Sequence, residues 1–197
     1  SALFNSFNVF ENIAFPLREH TDLADSVVST MVKMKLELIG LRGVEELMPS
    51  QLSGGMLKRI GLARAIVMDP EVVFYDEPTS GLDPISTGVI NKLITDLNEI
   101  LGVTSVVVSH DIVSSFQISD WIIILFYGKL IAEGTPEEIE NSEDPRVQQF
   151  VKGEPEGPIP ILPFSRQCRE RWLDVRAYQP STRSRRSRPR RACRRRA

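Results

Sequence analysis

Two carboxylates standing side by side, Asp76 and Glu77, directly follow the apolar run Val72-Val73-Phe74-Tyr75. Such a run ending in acids reads as a buried parallel strand, and the carboxyl end of such a strand is where open α/β sheets bind ligands. There the two acids can divide the work: one holds Mg2+, directly or through water, and the next polarises an attacking water. Upstream, Ser53-Gly54-Gly55 precedes apolar residues at helical spacing between Met56 and Val67. With Ser53 as N-cap, the two glycines leave backbone N–H groups bare and aim the positive end of the helix dipole outward, a place for a terminal phosphate. Downstream come the turn Ser80-Gly81-Leu82-Asp83 and, after a second apolar run, His110, whose imidazole can meet a γ-phosphate. Taken singly, each also has a plain reading: an ordinary turn, a pair of solvated loop acids, a satisfied core histidine.

The elements that must position these residues follow from periodicity. Pro16 to Leu47 carries apolar residues at helical spacing, broken by Gly40 and Gly43, which predicts two or three helices. Thr104 to Val108 predicts a second buried strand, Ile85 to Leu101 an amphipathic helix between the two strands, and Ile112 to Ile118 a short helix after them. Strand, helix, strand, helix in that order argues for a parallel α/β sheet. Trp121 to Phe126 and Leu130 to Ala132 flank Tyr127-Gly128-Lys129, the pattern of an antiparallel hairpin at the sheet edge. Thr135-Pro136-Glu137-Glu138 reads as a helix start, with Thr135 as cap and proline at the first position. Four parts are expected: residues 1–66 as a helical portion, 67–134 as the rest of an α/β core, 135–164 as a C-terminal helix with an extension, and 165–197 as a tail.

At 197 residues the chain suffices for one ordinary domain. The opening run SALFNSFNVF lacks the features of a signal peptide and reads as the inside of a longer protein. No apolar stretch approaches the roughly 20 residues that span a bilayer. Both cysteines, Cys168 and Cys193, lie in the tail without metal-binding spacing, which fits a reducing, cytoplasmic setting. The net charge of −2 averages an acidic body with a tail holding thirteen arginines from Arg166 onward against Glu170 and Asp174. An arginine tail raises the alternative of a nucleic-acid binder, but the acidic body offers no supporting basic face. The tail has no lysine, and its change of composition is abrupt after GEPEGPIP. From about Ile161 it is expected to be the product of a shifted reading frame.

Order and spacing together resemble the nucleotide-binding subunit of ABC transporters. LSGGM is similar to the signature motif, with Met56 in place of the usual glutamine; VVFYDE resembles the Walker B motif, SGLD the D-loop, and His110 the switch histidine. A finer resemblance, carried by FNSFNVFENIAFPLREH, LSGGMLKRIGLARAI and YDEPTSGLDP, is to the Mla-type ATPases of phospholipid transport and toluene tolerance. It implies the C-terminal half of a RecA-like parallel core with a helical subdomain. It also implies roles: Asp76 for Mg2+, Glu77 as general base, His110 as γ-phosphate sensor. Ser53, Gly54 and Gly55 would contact the nucleotide of a facing subunit, and Asp83 would link the two sites.

The implied cofactors are ATP and Mg2+. The implied partners are a second copy of the ATPase, an integral membrane permease docked on Phe4, Phe7, Val9 and Phe10, a periplasmic lipid-binding component and a small cytoplasmic accessory protein, with no nucleic acid. The implied location is the cytoplasmic face of the inner membrane. No G-x-x-x-x-G-K-[ST] occurs in the 197 residues, so the phosphate-cradling loop is expected to lie outside them, with the Q-loop glutamine just before Ser1. The chain taken alone is therefore expected to be inactive. A cargo other than phospholipid is the alternative, since the motor core does not touch cargo.

Overall fold

The first helix begins earlier than the proline would suggest. In the computed structural model, which describes residues 3–159, α1 runs Val9–His20 with Pro16 inside it. Asn8 caps it: its side chain accepts from the Glu11 N–H at 2.8 Å, and the Glu11 carboxylate returns to the Asn8 N–H at 2.9 Å. This reciprocal box satisfies two otherwise orphaned donors. Buried Asn12 then ties down the segment before the helix, accepting from the Phe4 N–H and donating to the Phe4, Phe7 and Asn8 carbonyls. Pro16 forfeits the i→i−4 bond to the Asn12 carbonyl, a loss this well-anchored helix tolerates.

Helix α2 (Asp25–Leu38) follows, then a single 3-10 turn (Pro49–Gln51) and α3 (Gly54–Ile66). One apolar cluster joins them: Ile13 and Leu17 of α1, Val32 and Leu36 of α2, and Ile60 and Ile66 of α3 are essentially inaccessible. Lys35 of α2, nearly buried, pairs with Asp69 just beyond α3.

Strand β1 (Val72–Asp76) is parallel to β2 (Thr104–Val108), with α4 (Pro84–Leu101) as the crossover between them. Asp76 pairs in register with Val108, so both strands end at the same level. Both were expected to be buried on both faces. Instead β1 alternates: Val73 and Tyr75 enter the core, while Phe74 is 75% exposed, beside exposed Val106 and Val108 of β2. Among the described residues α4 packs on β2, and Val73 and Tyr75 join the helical cluster, while Phe74, Val106 and Val108 on the other face stay exposed.

Helix α5 (Ile112–Ile118) leads to β3 (Ile122–Phe126) and β4 (Lys129–Gly134). Tyr127 and Gly128 both take positive φ, 47° and 71°, the requirement of a two-residue hairpin turn. One extra residue on β4 makes a bulge opposite the Ile124/Leu125 step. The hairpin was expected to extend the parallel sheet; among the described residues it forms a separate two-stranded sheet. It packs through Ile124 on α6 (Pro136–Glu140) and α7 (Pro145–Lys152), whose Ile139 and Val147 complete a second cluster. Thr135 caps α6 with a capping box. The C-terminal part therefore holds two short helices where one was expected, because Asp144 and Pro145 start a new helix after Asn141. The arginine tail and its suspected frame shift lie outside the described residues.

Candidate functional site

Because β1 and β2 end together, the residues just past them meet. The Glu77 N–H still reaches the Val108 carbonyl at 2.9 Å, continuing the ladder by one bond. Glu77 then turns into the left-handed region, with φ 46°. That conformation costs a non-glycine residue on the order of 1–3 kcal/mol and persists only where neighbours over-determine it. Here they do. Glu77 Oε1 accepts from the His110 backbone N–H at 3.1 Å, and His110 Nδ1 lies 2.9 Å from Oε1 and 2.8 Å from Oε2. The Glu77 carbonyl accepts from the Lys58 ammonium at 2.9 Å and from the Ser80 N–H at 3.3 Å.

The carboxylate raises the His110 pKa above its ordinary value, first by its hydrogen bond and then by its charge. His110 itself faces solvent, with a side chain 76% exposed against 34% for Glu77. Asp76, one residue earlier, points to the exposed side of the sheet end.

His110 is presented by its own loop geometry. Asp111 caps α5, accepting from the Ser114 N–H at 3.2 Å and the Ser114 hydroxyl at 2.6 Å. Ser114 is buried and also accepts from the Asn91 amide of α4 at 2.8 Å, so the histidine loop is pinned to the crossover helix. Those bonds hold the Asp111 carboxyl below its usual range. Neither Asp111 nor Ser114 stood out as a site residue in the sequence, although the Asp-x-x-Ser spacing at a helix start is a capping signal.

Ser53 caps α3, accepting from the Met56 N–H at 3.3 Å. The N–H groups of Gly54 and Gly55, the first of the helix, have no intrahelical acceptor by the geometry of a helix start. A Cβ on Gly54 would meet the Leu82 side chain at 3.6 Å, and one on Gly55 the Ser86 hydroxyl at 3.7 Å, both ordinary contacts. Among the described residues nothing demands glycine at either place, and the bare backbone leaves room for a ligand to approach. The same contacts set the Ser80-Gly81-Leu82-Asp83 turn against the start of α3. Asp83 caps α4, accepting from the N–H groups of Ile85 and Ser86 at 3.0 Å each and from the Ser86 hydroxyl at 2.6 Å. Those bonds lower its pKa, the Ser86 hydroxyl foremost.

The structure thus builds two groupings: Asp76, Glu77 and His110 at the carboxyl edge of the sheet, and Ser53, Gly54 and Gly55 beside Asp83 at the start of α3. Lys58 of α3, overlooked in the sequence, bridges them. Near the chain start, Phe4, Phe7 and Phe15 stack with centroids 5.0–6.1 Å apart. Val9, expected on that surface, is 0% exposed and belongs to the core, since α1 turns it toward α2 and α3.

Two oxygen donors stand side by side at the sheet edge, and Glu77 Oε2 is enclosed without a well-aligned hydrogen bond of its own. Among the described residues no three His, Cys, Asp or Glu side chains converge as a metal cage. Mg2+ keeps water and phosphate ligands and needs one or two carboxylates, so this donor set fits it.

A sequence model of the ABC transporter family matches residues 1–80. The intermembrane phospholipid transport system ATP-binding protein MlaF of Haemophilus influenzae is 53% identical over 158 residues, covering 80% of this chain and 60% of that protein. Its Escherichia coli K12 counterpart is 51% identical over 160 residues, 81% of this chain and 60% of that protein. A probable ribonucleotide transport ATP-binding protein of Mycobacterium leprae is 44% identical over 80% of this chain and 46% of its own length. The chain thus spans about 60% of the length of the phospholipid-transport relatives.

Among solved structures, cbiO1 of Clostridium perfringens, part of an ABC transporter complex, aligns with TM-score 0.64 and 30% identity over 70% of this chain and 54% of that one. A dimeric ATP-binding cassette in a post-hydrolysis state with ADP and phosphate aligns with TM-score 0.61 and 30% identity, covering 68% of this chain and 59% of that one.

Proposed function

Since this chain belongs to the ABC transporter ATP-binding family, we propose that it is the Walker B and signature portion of a motor subunit that hydrolyses ATP to move phospholipid. The observation that carries the reading is the Glu77–His110 contact at the common end of two parallel strands, with Asp76 beside it. Glu77 is the general base: it orients a water for in-line attack on the γ-phosphorus and accepts its proton as the bond to ADP breaks. His110 holds the carboxylate through Nδ1 and offers Nε2 to a γ-phosphate oxygen; protonated, it donates at both nitrogens. Asp76 would hold Mg2+, whose chemistry when bound is to offset phosphate charge.

Ser53 and the bare N–H groups of Gly54 and Gly55 would bind the γ-phosphate of a nucleotide held by a second copy, and Asp83 would lie between the two sites. The β- and γ-phosphates also need a glycine-rich cradle with a lysine, a motif these 197 residues do not contain. Such a cradle would have to come from elsewhere, and these residues alone are proposed not to turn over ATP. The parts at 1–66, 67–134 and 135–164 are proposed as helical arm, core and C-terminal extension. The permease is proposed to dock on the arm through Phe4, Phe7 and Phe10, at the cytoplasmic face of the inner membrane. Further lipid-binding and accessory components are proposed by the same likeness. No helix among the described residues is long and apolar enough to cross a membrane.

Phospholipid is the preferred cargo because the MlaF relatives are more than 50% identical, against 44% for the ribonucleotide-transport relative. The test is reconstitution of the full-length ATPase and its permease in vesicles, following a fluorescent phospholipid. ATP-dependent lipid transfer that Glu77→Gln abolishes is expected; ATP hydrolysis without lipid movement would overturn the cargo.

A further inference from the structure

Lys58 lies five residues beyond Ser53 on α3, and its ammonium donates to the Glu77 carbonyl oxygen at 2.9 Å. The other contacts that hold Glu77 come from the strand ends and their loops: the Val108 carbonyl, the Ser80 N–H and His110. Lys58 is the contact that comes from α3, whose first turn carries Ser53, Gly54 and Gly55. It grips the carbonyl of a residue in the left-handed region, where a change of φ or ψ re-aims both the carbonyl and the side chain. A charge-assisted bond from a three-donor ammonium is a strong one for this task.

We propose that Lys58 is a positioning residue that couples the phosphate-facing start of α3 to the aim of the Glu77 carboxylate in the same subunit. This rests on the reading of Glu77 as general base. From Ser53 to Lys58 the helix rises only about 7 Å, at 1.5 Å per residue, so the two ends of that span move together. When a phosphate held by the facing subunit draws on the first turn of α3, Lys58 carries the displacement to the Glu77 carbonyl. In a dimer, each α3 faces the partner's nucleotide while its lysine holds its own subunit's base. One helix thereby joins the two sites. A mere packing role is the competing account, because Lys58 is half-buried and its stem helps line a pocket of about 120 Å3 between α3 and β1.

The experiment uses the full-length ATPase assembled as its dimer, with ATP titrations of Lys58→Met, Lys58→Gln, Lys58→Arg and Glu77→Gln. Lys58→Met keeps the stem and removes the charge. It should lower kcat about tenfold, the scale of a misaimed catalytic group, with KM within about twofold. Lys58→Arg should recover most of that loss, since a guanidinium also donates to a carbonyl. If Lys58→Met does not fold, Lys58→Gln must show the same split between kcat and KM. Parent-like kcat in the methionine or glutamine variant, a loss that falls on KM, or no recovery with arginine would each overturn the coupling. The base assignment fails separately, if Glu77→Gln turns over like the parent.

Discussion

The two ends of the candidate site differ in what they have already satisfied. At the start of α3, Ser53 and Gly54 are exposed, and the first backbone N–H groups have no partner inside the helix. At the end of β1 and β2, Glu77 and His110 hold each other, and their loops are pinned by Lys58, Val108 and the Asp111–Ser114–Asn91 chain. An open helix end gains bonds when an anion arrives. A closed carboxylate–imidazole pair must exchange one bond for another. On the proposed reading, affinity and subunit contact belong to the first end and rate to the second, and each should be breakable without the other.

The largest effect is expected at the closed end. In the full-length protein Glu77→Gln keeps the shape and a hydrogen-bond acceptor but removes the proposed base, so turnover should fall about 10²- to 10⁴-fold. ATP binding, measured by calorimetry, should change by less than about threefold. A comparable loss of binding would mean that the two ends are not separable.

Gly55→Asp attacks the open end with opposite signs for stability and function. A carboxylate in the first turn of a helix is favourable, by roughly 0.3–1 kcal/mol. The same charge opposes a phosphate at short range, where like charges cost several kcal/mol, or about 10²-fold in ATP-dependent dimer formation. Since among the described residues a Cβ at Gly55 meets the Ser86 side chain alone, at ordinary distance, the fold should accept it. Thermal unfolding at or above the parent's midpoint, together with loss of the ATP-bound dimer in sedimentation, is the expected pair of results.

Much of this division was legible in the residues alone, because it rests on local signals. Ser53 before two glycines marks a cap, Val72 to Glu77 marks a strand end, and Tyr127-Gly128 marks a turn; each needs only its own neighbours in sequence. What was hidden depends on partners far along the chain. Pro16 looked like a boundary because the Asn8–Glu11 box and the Asn12 anchor outweigh a lost bond. Val9 looked like surface because the helices that cover it lie later in the chain. The exposed side of Phe74 could not be foreseen, because an apolar run does not say how many of its faces are covered. Nothing in the sequence set Lys58 apart, and the approach of β1 to α3 is what gives it an acceptor.

A smaller effect sharpens the open end. Ser53→Ala removes the cap oxygen, and with a bond as long as 3.3 Å the loss should sit at the low side of the usual range, about 0.5–1 kcal/mol in urea unfolding. Asn8→Ala removes a cap oxygen that the Glu11 N–H meets at 2.8 Å, while the backbone N–H of residue 8 keeps its bond to the Glu11 carboxylate; with the shorter cap bond it should cost more, about 1–2 kcal/mol. An equal loss at both caps would remove the distinction between an open helix start and a closed one.

The smallest effect belongs to the closed pair itself. Glu77 raises the His110 pKa in the folded state, first by its hydrogen bond and then by its charge. A raised folded-state value means that the pair's contribution to stability is fully present below the ordinary histidine value of 6.5 and is lost as pH rises through the folded value. Because the imidazole is largely exposed, that contribution is screened and should shrink as salt is added. Glu77→Gln keeps an oxygen in place but removes the charge, so the His110 midpoint, followed by NMR, should fall back toward the ordinary value. The parent should show the higher midpoint, and salt should narrow the difference between them. Equal midpoints in the two proteins would mean that the pair seen here is not held in solution. The carboxylate would then be as open as the start of α3, and the division of the site into a waiting end and a closed end would fail.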